Sequence, residues 1–295
     1  MEEQAFAVYE KKKVALISVG AAIIITVGKL IIGLLTGSLG ILSEALHSAL
    51  DFVAAVITYF AVKISDKPAD KNHQFGHGKY ENLSAFIETI LLFVTCFWII
   101  YEALSRLISG NTHIEVSIWS YIVVIASIII DYSRSRELMR VAKKYNSQAL
   151  EADALHFSTD IWSSSVVLLG LICAEFGFYL ADSVAALVVA GIVIVIAYKL
   201  GKRSIDVLLD KTSDENYKIV ENVLVNFPDV LKFHNLRIRT SGAYTFVEVS
   251  IHVDPKISIE KAHEISHNLE TAICEKIDKC EVHVHEEPDN DHVTK

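Results

Sequence analysis

A chain of 295 residues that is 52% hydrophobic and only 21% charged, with a mean hydropathy of +0.38, is too apolar for one water-soluble domain and too polar to lie wholly in a bilayer. Its formal net charge of −9 argues against nucleic acid and suits a protein that handles cations. The four cysteines, Cys96, Cys173, Cys274 and Cys280, fit no zinc-finger or CxxC spacing and are expected as reduced thiols without disulfide staples.

The opening segment MEEQAFAVYEKKK places acidic residues first, with no small-residue cleavage site before the apolar run, so it is expected as a cytosolic tail rather than a cleaved signal. Apolar runs at about 14–35, 40–64, 83–108, 116–133, 149–176 and 181–200 are each near the roughly 20 residues that a spanning helix needs. Six spans put both termini on one side. Lys11 to Lys13, then Lys63, Lys67, Lys71 and Lys79, then Arg134, Arg136, Arg140, Lys143 and Lys144, and finally Lys199, Lys202 and Arg203 make every alternate connection basic. The intervening GSLG, GNTHIEVS and the segment near Gly177 carry no lysine or arginine, so the termini and the basic loops are expected in the cytosol.

From Ser213 the pattern changes to short amphipathic pieces. A helix is expected over about 214–227, strands near 234–240, 244–254 and 280–286, and a second helix over 258–277. In FVEVSIHV, Val247, Val249, Ile251 and Val253 alternate with Phe246, Glu248, Ser250 and His252, which predicts one buried and one solvated face. The order αββαβ is that of a small ferredoxin-like α+β domain. The chain therefore divides into a six-helix membrane domain over 1–208 and a soluble domain over 209–295, with a frayed tail after the last strand.

Two copies of one spacing stand out: His47 with Asp51 in HSALD, and His156 with Asp160 in HFSTD. Residues i and i+4 share a helix face, so each span presents an imidazole and a carboxylate together. Ionisable groups at membrane depth cost at least a few kcal/mol unless partnered or employed. Two such faces can close an N2O2 cage for a divalent transition metal, with Zn2+ the first choice and Fe2+, Co2+, Cd2+ or Mn2+ left open. A histidine must be neutral to bind metal and takes a proton when the metal leaves, which couples occupancy to protons. Of the other buried charges, Asp131 is a candidate for a proton path. Glu44, Glu88, Glu151 and Asp153, alternatives for that path or for an entry route, are expected rather as snorkelling or helix-paired carboxylates, and Lys29 as a counter-charge or a snorkelling lysine.

These motifs, GSLGILSEALHSALD, DKNHQFGHGKYE, HFSTD and the closing EVHVHEEP, together resemble the cation diffusion facilitator family of divalent-metal/proton antiporters over nearly the whole chain. The resemblance implies a homodimer in the membrane, expected to be a bacterial inner or plasma membrane, that exports metal from the cytosol by alternating access, with His47, Asp51, His156 and Asp160 as the transport site. Asp70, His73 and His77 match a cytosolic loop metal site. Their spacing alone also lets a short Gly-containing loop fold three ligands around one ion. Lys79 and Asp210 match a charge interlock at the dimer centre. In the soluble domain His234, His263 and His285 match metal-binding positions, while Ser250 stands where a relative has a bridging histidine and Glu287 replaces an aspartate. Glu248 and His252, on the strand face of Ser250, are the substitutes expected to complete that set, with metal there acting as a regulator that tightens the dimer.

Two other classes compete with this reading. HEISH at 263–267 fits the HExxH pattern of zinc proteases, with Glu264 as base, but it lies in a domain too small for an evident cleft and lacks a clear third ligand. The chain is therefore not expected to be an enzyme. A non-transporting metal sensor or scaffold would bind metal tightly without flux.

Overall fold

The computed structural model describes residues 2–36, 39–109, 118–175 and 180–289. The connections at 110–117 and 176–179, the tail from 290, and the side chains of Glu44 and Cys173 lie outside the described residues. Six long helices come first: α1 (Glu2–Thr36), α2 (Leu39–Ser65), α3 (Lys79–Ser109), α4 (Ile118–Tyr145), α5 (Gln148–Glu175) and α6 (Leu180–Leu208). They are followed by α7 (Asp214–Asn226), β1 (Lys232–Ser241), β2 (Tyr244–Val253), α8 (Ile259–Cys274) and β3 (Cys280–Pro288). The chain forms two compact units, Met1–Pro68 with Tyr80–Ile205, and Ala69–Lys79 with Asp206–Lys295. The loop before α3 thus groups with the second unit, which a single division at 208 does not anticipate.

The first unit is a helical transmembrane domain. Side chains such as Ile24, Leu35, Phe97 and Ile129 stand exposed on its helices, an arrangement that water would penalise and lipid does not. Among the described residues, four helices carry a stretch long and apolar enough to cross a membrane: Ala5–Leu35, Ala45–Ser65, Lys79–Ser105 and Ser183–Leu208. At 28 residues each, α4 and α5 run about 42 Å and so have the length to span. They are more polar than the sequence reading expected, and part of that polarity is buried in the bundle, at Asp131, Arg134 and Ser135 of α4 and Asp153, His156 and Asp160 of α5. Ser135 of α4 donates to the Ala154 carbonyl of α5 at 2.8 Å, a hydroxyl-to-backbone bond that joins the two helices.

Two apolar clusters hold this unit together. Val14 and Ala15 of α1, Ala61 and Val62 of α2, Leu138 and Val141 of α4, and Leu150 and Phe157 of α5 form one. Leu92 and Cys96 of α3 with Ala152 of α5 and Val193, Ala197 and Leu200 of α6 form the other. At Gly201 a Cβ would sit 2.7 Å from Thr89 Cγ2, so only glycine lets α6 come this close to α3 there.

In the second unit, Ser213 and Ser258 cap α7 and α8 by accepting from the Asn216 and Lys261 backbone N–H groups. The sheet runs β1-β2-β3, antiparallel between β1 and β2 and parallel between β2 and β3, as the βαβ crossover through α8 requires. Val247, Val249, Ile251 and Val253 face a core built with Val220, Leu224, Ile265, Leu269 and Ile273. The opposite face departs from the expected solvated pattern, since Phe246 and Ser250 are buried. Part of the cover comes from the loop. Phe75 meets Phe246 edge to face with ring centroids 5.3 Å apart, and the Arg239 guanidinium lies 3.7 Å over the Phe75 ring. Beside this stack a Cβ on Gly78 would collide with the Ser241 carbonyl in the β1–β2 turn, so glycine is required for the loop to lie against the hairpin.

Candidate metal centre

His47 and Asp51 on α2, and His156 and Asp160 on α5, converge. His156 Nε2 lies 3.1 Å from Asp51 Oδ1 and 3.7 Å from Asp160 Oδ2. His47 Nε2 lies 3.6 Å from Asp160 Oδ1 and 3.9 Å from Asp51 Oδ1. Four ligands on a tetrahedral ion with bonds of about 2.1 Å stand about 3.4 Å from one another, so all four separations are near the edges of such a shell. Ligand atoms of His47, Asp51 and Asp160 also fall within 4.8 Å of one another. Asp51 and Asp160 are each 8% exposed and His156 is 2% exposed. Asp160 Oδ2 has no hydrogen-bond partner, as expected of a donor atom meant for an ion.

The cavity around this cluster is also lined by Lys29, Ser48, Asp131 and Arg134. Lys29 does not snorkel: it is buried, and its Nζ donates to Ser48 Oγ at 3.0 Å, next to His47 in the chain. Asp131 accepts from Arg134 Nη1 at 3.2 Å. Arg134 Nη2 donates to Ser18 Oγ at 3.1 Å, Ser18 donates to Asp153 Oδ2 at 3.2 Å, and the guanidinium stacks 3.5 Å over Phe157. Asp153 and Glu88 are fully buried rather than snorkelling, with Glu88 accepting from the Thr58 and Ser84 hydroxyls. Glu151 pairs with Arg203 at 2.8 Å, as a helix-paired carboxylate would. The sequence reading did not single out Ser18 or Ser48; no spacing signal marks a lone serine in a span.

In the second unit the loop brings Asp70, His73 and His77 together. Asp70 Oδ1 lies 3.4 Å from His73 Nδ1, and Asp70 Oδ2 lies 3.3 Å from His77 Nε2. The loop is pre-shaped: Asp70 Oδ1 accepts the backbone N–H groups of His73 at 2.7 Å and Asn72 at 2.8 Å, and Gly76 adopts φ 75°. Those two N–H bonds hold the Asp70 carboxyl below the usual carboxylate range, which favours its ionised form. Lys79 Nζ donates to Asp210 Oδ1 at 2.8 Å and to the Leu208 carbonyl at 3.3 Å. Both partners are half-exposed, so the pair itself is worth about 0–1 kcal/mol.

On the sheet, His234, His252 and Glu287 form a third cluster. His252 Nε2 lies 3.2 Å from His234 Nδ1, and Glu287 Oε1 lies 3.5 Å from His234 Nε2 and 3.7 Å from His285 Nε2. His252 and Glu287 are cross-strand neighbours. A bulge between His234 and Arg237, with Asn235 at φ 53°, shifts the β1 register just beyond His234. Asp289, absent from the sequence reading, adds a carboxylate 3.7 Å from His252 Nδ1. The structure does not bring Glu248 or His263 into this group. Glu248 pairs in register with Arg237 and His283, farther along the sheet. His263 projects from α8, which covers the opposite, apolar face.

Among relatives, the model described as the cation efflux transmembrane domain matches residues 15–209, and that of the cation efflux protein cytoplasmic domain matches residues 212–289. The chain belongs to the cation diffusion facilitator family. An uncharacterised transporter of Methanocaldococcus jannaschii is 32% identical over 93% of this chain and 98% of its own length. The cation-efflux pump FieF of Pectobacterium carotovorum is 29% identical over 86% of this chain and 84% of its own. The metal-bound C-terminal domain of the CzcD transporter from Thermotoga maritima is 36% identical over 25% of this chain and 87% of its own, with a TM-score of 0.24. As a family member this is a membrane protein for cation efflux. The HExxH residues lie on an exposed helix surface, with Glu264 held by Lys261 at 2.9 Å and His267 Nδ1 3.8 Å from Glu270.

Proposed function

We propose that this chain exports a divalent transition metal, Zn2+ first, from the cytosol in exchange for protons, and that His47, Asp51, His156 and Asp160 bind the ion. The observation that carries the reading is the convergence of two imidazoles and two carboxylates, on two helices, at tetrahedral separations. Two neutral imidazoles with two carboxylates balance a divalent charge. When the metal leaves, protons on His47 and His156 replace that charge, so inward protons and outward metal compete for one place. Asp131, held by Arg134 in the same cavity, is a further candidate for the proton path. Fe2+, Cd2+, Co2+ and Mn2+ suit the same donors less selectively.

In this reading all six long helices span a bacterial inner or plasma membrane, and both termini face the cytosol. The chain divides into a membrane domain over 1–208 and a soluble domain over 209–295 through which two copies assemble, with the Lys79–Asp210 pair as a charge interlock at the dimer centre. Asp70, His73 and His77 hold a second ion. Metal on the sheet, at His234, His252, Glu287 and His285, regulates the dimer. Uptake into inside-out vesicles, measured for a panel of divalent ions with and without a pH gradient, tests substrate and energy source together. Zn2+ uptake that needs the gradient is expected; tight Zn2+ binding without any flux would instead make the protein a sensor.

A further inference from the structure

Outside the metal cavity, a buried charge with several partners among the described residues of the membrane unit is Glu81, at the first turn of α3. Its Oε1 accepts from Lys11 Nζ of α1 at 3.1 Å and from Ser65 Oγ, the last residue of α2, at 3.0 Å. Its Oε2 accepts from Ser147 Oγ at 2.5 Å, the hydroxyl immediately before α5. Lys11 is further held by Asp66 at 2.5 Å. Glu81 is 4% exposed and Lys11 7%. One carboxylate therefore ties together the ends of α2 and α5, the two helices that carry the metal ligands. Along those helices, Ser65 lies about 21 Å beyond Asp51, and Ser147 about 20 Å before Asp160. Both ends are flanked by basic residues, Lys63 and Lys67 on one side and Lys143 and Lys144 on the other, the signature of the cytosolic side.

We infer that Glu81 is a gating residue: the Ser65–Glu81–Ser147 bridge, anchored by Lys11, clasps α2 and α5 shut on the cytosolic side, and metal reaches Asp51 and Asp160 from the cytosol only when it opens. This rests on the alternating-access reading above. A shift between states follows the differential stability of the clasp, and an ion that binds only the open state has its apparent affinity reduced by the fraction of protein that is open. Weakening the clasp raises that fraction. Glu81→Gln keeps the shape and one acceptor oxygen but removes the charge facing Lys11 and puts an amide donor where Ser147 donates. Ser65→Ala removes only the α2 arm.

The test is initial-rate Zn2+ uptake into inside-out vesicles, with KM and kcat separated, for wild type, Glu81→Gln, Ser65→Ala and Asp160→Asn. A KM for Zn2+ about three- to tenfold lower in Glu81→Gln is expected, with a reduced kcat because the state that releases metal outward is less populated. Ser65→Ala should move KM in the same direction by less. An unchanged or raised KM in both variants overturns the clasp, since a carboxylate that merely stabilises the bundle has no reason to tighten cytosolic affinity. Wild-type flux in Asp160→Asn would instead sink the assignment of the transport site, whatever Glu81 does.

Discussion

Asp160→Asn is the sharpest probe of the membrane centre. The change is isosteric, so it leaves intact the packing of α5, through Ala154 and Phe157, against α1, α2 and α4. Asp160 faces both histidines, Oδ1 toward His47 at 3.6 Å and Oδ2 toward His156 at 3.7 Å. An amide replaces one of those oxygens with a donor that cannot ligate, and the shell loses one of its two negative charges. Losing an outer-shell partner of a metal ligand costs about 10- to 100-fold in affinity, so losing a ligand costs at least about 100-fold, or roughly 2.7 kcal/mol. The assay is initial Zn2+ uptake against buffered free Zn2+, with thermal unfolding of the purified variant as the folding control. A well-folded variant whose KM stays within about threefold of wild type refutes the four-ligand site, because no ligand can be lost so cheaply.

Two further outcomes follow from the second unit. Phe75→Ala removes an aromatic pair worth about 0.5–1.5 kcal/mol and a cation–π contact worth about 0.5–1 kcal/mol, so opening of the 69–79 loop should become about 5- to 60-fold more frequent. Hydrogen exchange of the loop amides in the full-length protein reads this directly, and protection unchanged within about twofold would contradict the packing argument. Burial, reinforced by a hydrogen bond with Cys274, pushes the Cys280 thiol up to about 12. A raised value keeps the thiol protonated through neutral pH, so alkylation of Cys280, followed by mass spectrometry, should be slow at pH 8 and still be climbing about tenfold per pH unit at pH 10; a rate that levels off by pH 10, as for an ordinary thiol, would contradict the raised value.

The helices, the αββαβ order of elements and the paired HxxxD motifs were legible because each rests on periodicity or on a costly residue in an apolar run. Val247 to Val253 alternate strictly and are buried as that alternation requires. Other features depend on tertiary contacts that no local pattern encodes. Nothing near Phe75 indicates that it will stack on Arg239 and Phe246, so the loop's membership of the second unit was not foreseen. Glu88 and Asp153 were expected as snorkelling or helix-paired carboxylates, and no local pattern shows that hydroxyls from other helices, Thr58 and Ser18, let them stay fully buried. On the sheet, strand parity put Glu248 and His252 on one face correctly. It could not show that α8 shields the other face, which separates His263 from His234 and His252.

The most direct test is an anomalous difference map of the Zn2+-loaded protein at the zinc edge. A peak in the membrane unit about 2.0–2.2 Å from a nitrogen of His47 and of His156 and from an oxygen of Asp51 and of Asp160 is the expected result. Zinc confined to the loop and sheet clusters, with none between α2 and α5, would contradict the account.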